Sequence, residues 1–159
     1  MGEEISQVDF SAEDHQAFLQ HLREETRYLC ETLADGAFSS APPMAGFEIE
    51  AWLVDKQCRP APVNQAFLKA FDNPLASPEL ATFNVELNNT PRPLSGKVFA
   101  PFQTEMQTLL DQADRIAKTL DSHLLLTGIL PTAIPEDFGT EFMSDMNRYR
   151  VLNEQVLEA

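Results

Sequence analysis

The chain has 159 residues and a mass of 17.8 kDa, room for one ordinary domain or part of a larger one. Its 25 Asp and Glu against 11 Lys and Arg give a net charge of −14, and 43% of its residues are hydrophobic. That charge argues against a general nucleic-acid binder or a protein docking on anionic lipid, both of which require basic surface, while the apolar content supports a packed core.

The acidity is not confined to one tail. Residues 1–40 carry nine acids and two bases, and residues 41–159 carry 16 and nine, so each part is net −7. Part of the acidity is therefore expected inside the folded body, where it can do chemistry. No apolar run approaches the length of a membrane span, and the start Met1-Gly2-Glu3-Glu4 is acidic rather than a basic signal-peptide leader. Met1-Gly2 with Ser6 fits the outline of an acylation motif, but the neighbouring acids would repel anionic lipid. Cys30 and Cys58 make no disulfide framework, which points to a reducing, cytoplasmic setting.

In chain order, residues 12–34 are expected to form a helix. Ser11 is the N-cap, with Asp14 completing a capping box, and Gly36 is the stop. Phe18, Leu22, Leu29 and Leu33 share a face with Leu19 and Cys30, and Cys30 is expected in the core. Residues 37–45 read as a loop. Residues 46–55 alternate as a strand, with Phe47, Ile49, Ala51 and Leu53 on one face and Glu48, Glu50, Trp52 and Val54 on the other. Asn64 is expected to cap a short helix over 65–72. Asn73-Pro74 and Ser77-Pro78 punctuate the loop beyond it.

A second strand is expected over 81–88, with Phe83, Val85 and Leu87 opposed to Asn84, Glu86 and Asn88. The 3.6-residue spacing of Phe102, Met106, Leu109, Ala113, Ile116, Ala117 and Leu120 predicts a helix over 97–121. Leu124 to Ile129 reads as a short, fully buried strand, with Gly128 permitting a bulge or close backbone approach. A Pro-rich loop over 130–140 and a last helix over 143–158 complete the chain. His15 and His21 are expected to be solvated, and His123 to cap or pack. The fold class expected is α+β: a mostly antiparallel sheet with helices packed on one face. The organisation expected is a single domain over 1–159, made of an N-terminal helix, 1–36, and a sheet-containing body, 44–159.

The chemistry concentrates in Glu48, Glu50 and Glu86. Glu48 and Glu50 leave one face of a strand about 6.5–7 Å apart. If the two strands share a sheet, Glu86 joins them. Three carboxylates in one space raise each other's pKa and resist burial. A divalent cation resolves that conflict, and hard carboxylate oxygens suit magnesium or manganese. The alternative is the solvated face of an antiparallel sheet. Trp52 and Val54 on the same face, and the polar row Asn84-Glu86-Asn88 without Lys or Thr, weigh against it.

Four segments resemble a known family. Gly46-Phe-Glu-Ile-Glu50 followed by Trp52-Leu-Val-Asp55 resembles the first-strand motif of the type-2 glutamate–cysteine ligases, the carboxylate–amine ligases. Phe83-Asn-Val-Glu86-Leu-Asn-Asn-Thr-Pro91 is similar to the second motif. Thr127-Gly-Ile-Leu-Pro-Thr132 is similar to the Gly-x-x-Pro-Thr segment. Met143 through Arg148-Tyr149 and Leu152-Asn153 resembles the Arg-Tyr helix. Order and gaps agree over nearly residues 40–157.

The resemblance implies a glutamine synthetase-like catalytic fold and an ATP-dependent ligation of glutamate, or another carboxylate, to an amine through an acyl phosphate, as in glutathione-type biosynthesis. By the same resemblance the cofactors would be ATP and Mg2+ or Mn2+, Glu48, Glu50 and Glu86 would be the metal ligands, and Arg148 would hold a substrate carboxylate or phosphate through its planar fork. On sequence alone Arg148 reads equally as a helix-surface arginine, and Tyr149 as packing. Asn88 is a candidate donor behind the metal site and Arg92 a candidate for its rim, stiffened by prolines on both sides.

Family members continue into a strand bearing a metal-binding histidine and further sheet strands. The expectation is therefore the N-terminal part of a larger ligase domain. Its rival is a non-catalytic fragment acting as an acidic regulatory or assembly module. The partners expected are small molecules, with no nucleic acid and no membrane. An incomplete sheet also predicts pairing of copies through its edge.

Overall fold

The computed structural model describes residues 3–158; the Met1-Gly2 acylation outline lies outside them. In chain order the elements are α1 (Ala12–Ala34), β1 (Met44–Ala45), β2 (Glu48–Val54), α2 (Asn64–Phe71), β3 (Ala76–Pro78), β4 (Asn84–Asn88), β5 (Arg92–Pro93), α3 (Phe99–Thr119), β6 (His123–Leu125) and α4 (Asn147–Glu158). The protein is α+β, and its sheets are antiparallel. The chain divides into two compact units. One runs from Pro43 to Asp145; the other joins residues 3–42 with residues 146–158.

The first unit holds a four-stranded sheet in the order β3-β4-β2-β6 and a two-stranded β1–β5 ribbon. Alternation in β2 and β4 sends Ala51, Leu53, Val85 and Leu87 to one face, where they meet Phe67 of α2 and Met106, Ala113 and Ala117 of α3. Both helices of this unit thus cover one face of the sheet, as the patterning predicts. The opposite face is apolar at one end, where Trp52, Val54, Phe83 and Leu130 cluster, and acidic at the other.

Phe83 departs from the expected alternation. Asn84 N–H bonds the Ala81 carbonyl, so the chain turns at 81–84 and the strand begins only at Asn84. Phe83 is thereby placed on the far face, stacked on Trp52 with ring centroids 5.3 Å apart. Asn64 is not a cap. The N-cap of α2 is Val63, and Asn64 is buried, its Nδ2 donating to the carbonyls of Ala81 and Asn84 and to Ser144 Oγ.

The strand expected over 124–129 is shorter and less buried. β6 ends at Leu125, opposite Trp52, and the Trp52 indole N–H takes up the Gly128 carbonyl at 3.2 Å. Leu126 is exposed and Ile129 is 86% exposed. Space around Gly128 is open, so no close approach requires glycine there. The loop over 130–140 contains most of two short 3-10 turns, Pro135–Phe138 and Thr140–Phe142. The last helix starts at Asn147 rather than 143. Phe142 and Ser144 are engaged in bonds to residues distant in sequence, Thr82 N–H to the Phe142 carbonyl and Ser144 N–H to the Leu80 carbonyl, and Met143 between them is extended.

In the second unit, α1 has the predicted bounds and capping box. Ser11 Oγ accepts from Asp14 N–H, and the Asp14 carboxylate accepts from Ser11 N–H. That backbone bond, followed by the Ser11 hydroxyl, holds the Asp14 carboxyl below its ordinary range. The expected burial of the stripe does not occur. No residue of α1 is buried; Phe18, Leu22, Leu29 and Leu33 are exposed, and so is Cys30. A 3.6-residue period records that a helix has an apolar side, and α1 keeps that side without burying it. Asn147, at the start of α4, donates its backbone N–H to Glu4 and its Nδ2 to the Ile5 carbonyl. Among the described residues, no helix is long and apolar enough to cross a membrane.

Candidate functional site

The acidic end of the β2–β4 pair follows from register. Glu48 pairs with Asn88, and Glu50 pairs with Glu86. Side chains directly opposite in an antiparallel pair leave the same face. Ser77 of β3 pairs with Glu86 from the other side and shares that face. The sequence-predicted residues Glu48, Glu50, Glu86 and Asn88 are therefore brought together on one polar surface.

Glu86 is its centre and is only 4% exposed. Burial alone would raise its pKa. Hydrogen bonds from Asn88 Nδ2, at 2.7 Å, and Ser77 Oγ, at 2.9 Å, outweigh that and hold the carboxyl below its ordinary value. Glu48 also comes within hydrogen-bonding reach of Glu86. Asn88 thus stands where a donor behind the acidic site was expected.

Sequence reasoning missed Glu79. It follows β3 and comes within hydrogen-bonding reach of Glu86. Burial pushes its carboxyl up first, and the negative charges of Glu50 and then Glu86 push it further. The available signal was spacing: once Ser77 is set opposite Glu86, Glu79 lies two residues on along the same face. Ser77-Pro78 reads as loop punctuation, and that reading hid the short strand.

The row stays open rather than closing into a cage. No group of three or more His, Cys, Asp or Glu suited to hold a metal ion occurs among the described residues. The donors themselves are hard oxygens, and magnesium takes one or two carboxylates with water and phosphate completing its shell.

The two arginine candidates have partners of their own. Arg92 lies on β5 and its guanidinium reaches Glu105 of α3 at 3.4 Å. Thr90 bonds the same carboxylate, and the Thr90 hydroxyl is the main cause of its lowered pKa. Arg148 belongs to the second unit. Its guanidinium lies 4.6 Å from the Tyr149 ring centroid, and its Nη2 donates to the Tyr149 hydroxyl at 2.8 Å. His15 and His21 are exposed, as expected, and His123 is half-buried within β6.

Beside Glu48, the same unit has a cavity of about 400 Å³ lined by Gly46, Phe47, Glu48, Asn88, Asn89 and Pro91. Asn89 ties the two strand ends that flank it. Its Oδ1 accepts from Phe47 N–H at 2.8 Å, and its backbone N–H donates to the Phe47 carbonyl. Comparison with protein-family models, curated proteins and solved structures gave no match.

Proposed function

We propose that the chain belongs to an ATP-dependent carboxylate–amine ligase of the glutamate–cysteine ligase kind, with Glu48, Glu50 and Glu86 as the residues that hold Mg2+ or Mn2+. The observation that carries this reading is the Glu50–Glu86 pair with Glu48 and Glu79 on the same face, four carboxylates whose hard oxygens gather on one polar surface. Held by these residues, the cation would supply positive charge against phosphate and so let a protein of net charge −14 take up ATP.

The chain's own part is positioning. Asn88 and Ser77 keep Glu86 ionised and fix its orientation. The substrate carboxylate oxygen attacks the γ-phosphorus and ADP leaves. The amine nitrogen then attacks the acyl carbon, phosphate leaves, and the amine gives up a proton to yield the amide. Arg148 is the proposed holder of substrate carboxylate or phosphate. The glutamine synthetase-like frame for this chemistry belongs to the same proposal.

The test is titration calorimetry with Mg·ATP, followed by phosphate release with glutamate and an amine. Micromolar binding that Glu50→Gln and Glu86→Gln each weaken at least about tenfold, about 1.4 kcal/mol, supports the reading. Binding unchanged in both variants, or no binding, overturns it. A second reading, a non-catalytic assembly module, is favoured by one observation: α1 carries a full apolar stripe and buries none of it. Silence toward Mg·ATP together with self-association that Leu22→Gln and Leu29→Gln abolish would establish that reading instead.

A further inference from the structure

β2 is covered along only part of one side. The bonds from Leu53 N–H to the Phe83 carbonyl and from Asn89 N–H to the Phe47 carbonyl set its phase. Odd-numbered residues of β2 turn their backbone groups toward β4, and even-numbered residues turn theirs the other way. On that other side Trp52 and Val54 stand opposite Leu125 and His123 of β6. Glu50 and Glu48 come next along β2, but β6 has already ended at Leu125. Their N–H and carbonyl groups meet no protein partner among the described residues. Burial changes at the same point: Ala51 to Val54 are buried, Ile49 is half-buried, and Glu48 and Glu50 are exposed.

An open sheet edge is a template for one more strand, and the side chains along it select which strand. Glu48 and Glu50 leave one face, the face of Glu86. Ile49 and Phe47 lie on the other, where Ile49 packs on the core and Phe47 is 39% exposed. Residues directly opposite in a ladder share a face. A strand that fits therefore carries cations opposite Glu48 and Glu50 and an apolar residue opposite Ile49.

We propose that the Glu48–Glu50 edge takes up an extended segment of a partner protein, antiparallel to β2 and in line with β6, with Lys or Arg on either side of an apolar residue. Backbone bonds to Glu48 and Glu50 supply affinity, and the two ion pairs select the sequence. This docking needs neither metal nor nucleotide, so it does not rest on the ligase reading.

The probe is the capped peptide Thr-Lys-Val-Lys-Thr, titrated into the full chain with EDTA and without ATP and followed by 15N NMR and amide exchange. It is expected to bind at millimolar concentration and, near saturation, to slow exchange of the Glu48 and Glu50 amides at least about fivefold. The Ile49 amide, which faces β4, is expected to keep its rate. In the antiparallel register the lysine N–H groups face β2 and the valine N–H faces away. Methylating both lysine backbone nitrogens is expected to weaken binding at least about tenfold, and methylating the valine nitrogen to change it less than about twofold. Glu48→Gln and Glu50→Gln are each expected to weaken it about threefold, and Thr-Glu-Val-Glu-Thr is expected not to bind.

Should either variant not fold, the peptide changes decide. No slowing of the two amides, equal effects of the two methylations, binding unchanged in both variants, or equal binding of the acidic peptide each overturns the proposal. Slowing that grows with protein concentration in the absence of peptide also overturns it and gives the edge to a second copy. If the peptide binds and Mg·ATP does not, the docking edge stands and the ligase reading falls. If Mg·ATP binds and the peptide does not, the reverse holds.

Discussion

Glu50 and Glu86 stand directly opposite each other across the β2–β4 ladder, and their neighbours push two carboxyls of this face apart. Glu86 is held below its ordinary value of 4.5, and Glu79 is raised above it. The stabilising contribution of Glu86 is full above about pH 4.5 and is lost as pH falls through its lower folded value. Glu79 acts oppositely. The unfolded chain ionises first, so stability falls as pH rises from about 4.5 towards the raised folded value. At pH 7, Glu86→Gln is expected to destabilise by about 1 kcal/mol, the difference between a charged and a neutral hydrogen-bond acceptor. Glu79→Gln is expected to stabilise slightly. Urea midpoints measured between pH 3 and 7 check both, and the two differences should shrink together toward the acid end.

Magnesium should act on the same surface. If the carboxylates take up the cation, Mg2+ raises the melting temperature of the native chain by mass action, and raises that of Glu50→Gln less. Equal shifts in both would remove this face from cation binding.

Asn64 joins α2 to two carbonyls and to Ser144. Asn64→Leu strands those buried groups and is expected to cost about 2–3 kcal/mol, read from chemical unfolding. A loss below half of that would mean the carbonyls find other donors.

Trp52 has two separable contacts, the stack on Phe83 and the indole bond to Gly128. Trp52→Phe keeps an aromatic ring for the stack and removes the bond together with part of the buried ring. It is expected to cost about 1 kcal/mol and to loosen residues 126–129, read by faster amide exchange there.

Both thiols are exposed. Native protein should therefore react with two equivalents of a thiol reagent at rates close to those of the unfolded chain. Protection of Cys30 alone, growing with protein concentration, would show that the α1 stripe is covered by another copy.

The helices and the acidic face were largely legible because each rests on local pattern. Ser11 with Asp14 marks a helix start by chemistry, and the period of two in β2 separates Glu48 and Glu50 from Ala51 and Leu53. What escaped depends on partners distant in sequence. Phe83 changes face because of a turn at 81–84. Glu79 matters only once β3 is set against β4. Met143 to Ser144 runs extended because residues 80–82 bond that stretch. The α1 stripe shows the limit from the other side: amphipathicity is written in the sequence, and its covering surface is not.

β6 pairs with β2 only at Trp52, Leu53 and Val54, and among the described residues no strand lies against that side of Glu48, Ile49 and Glu50. Two copies that tried to join there as antiparallel strands about Ile49 would set Glu48 of each against Glu50 of the other. Like charges directly opposite oppose such pairing. The same glutamates that gather on one face thus guard a bare margin, and neutralising them, by acid or by substitution, should turn a guarded edge into a sticky one.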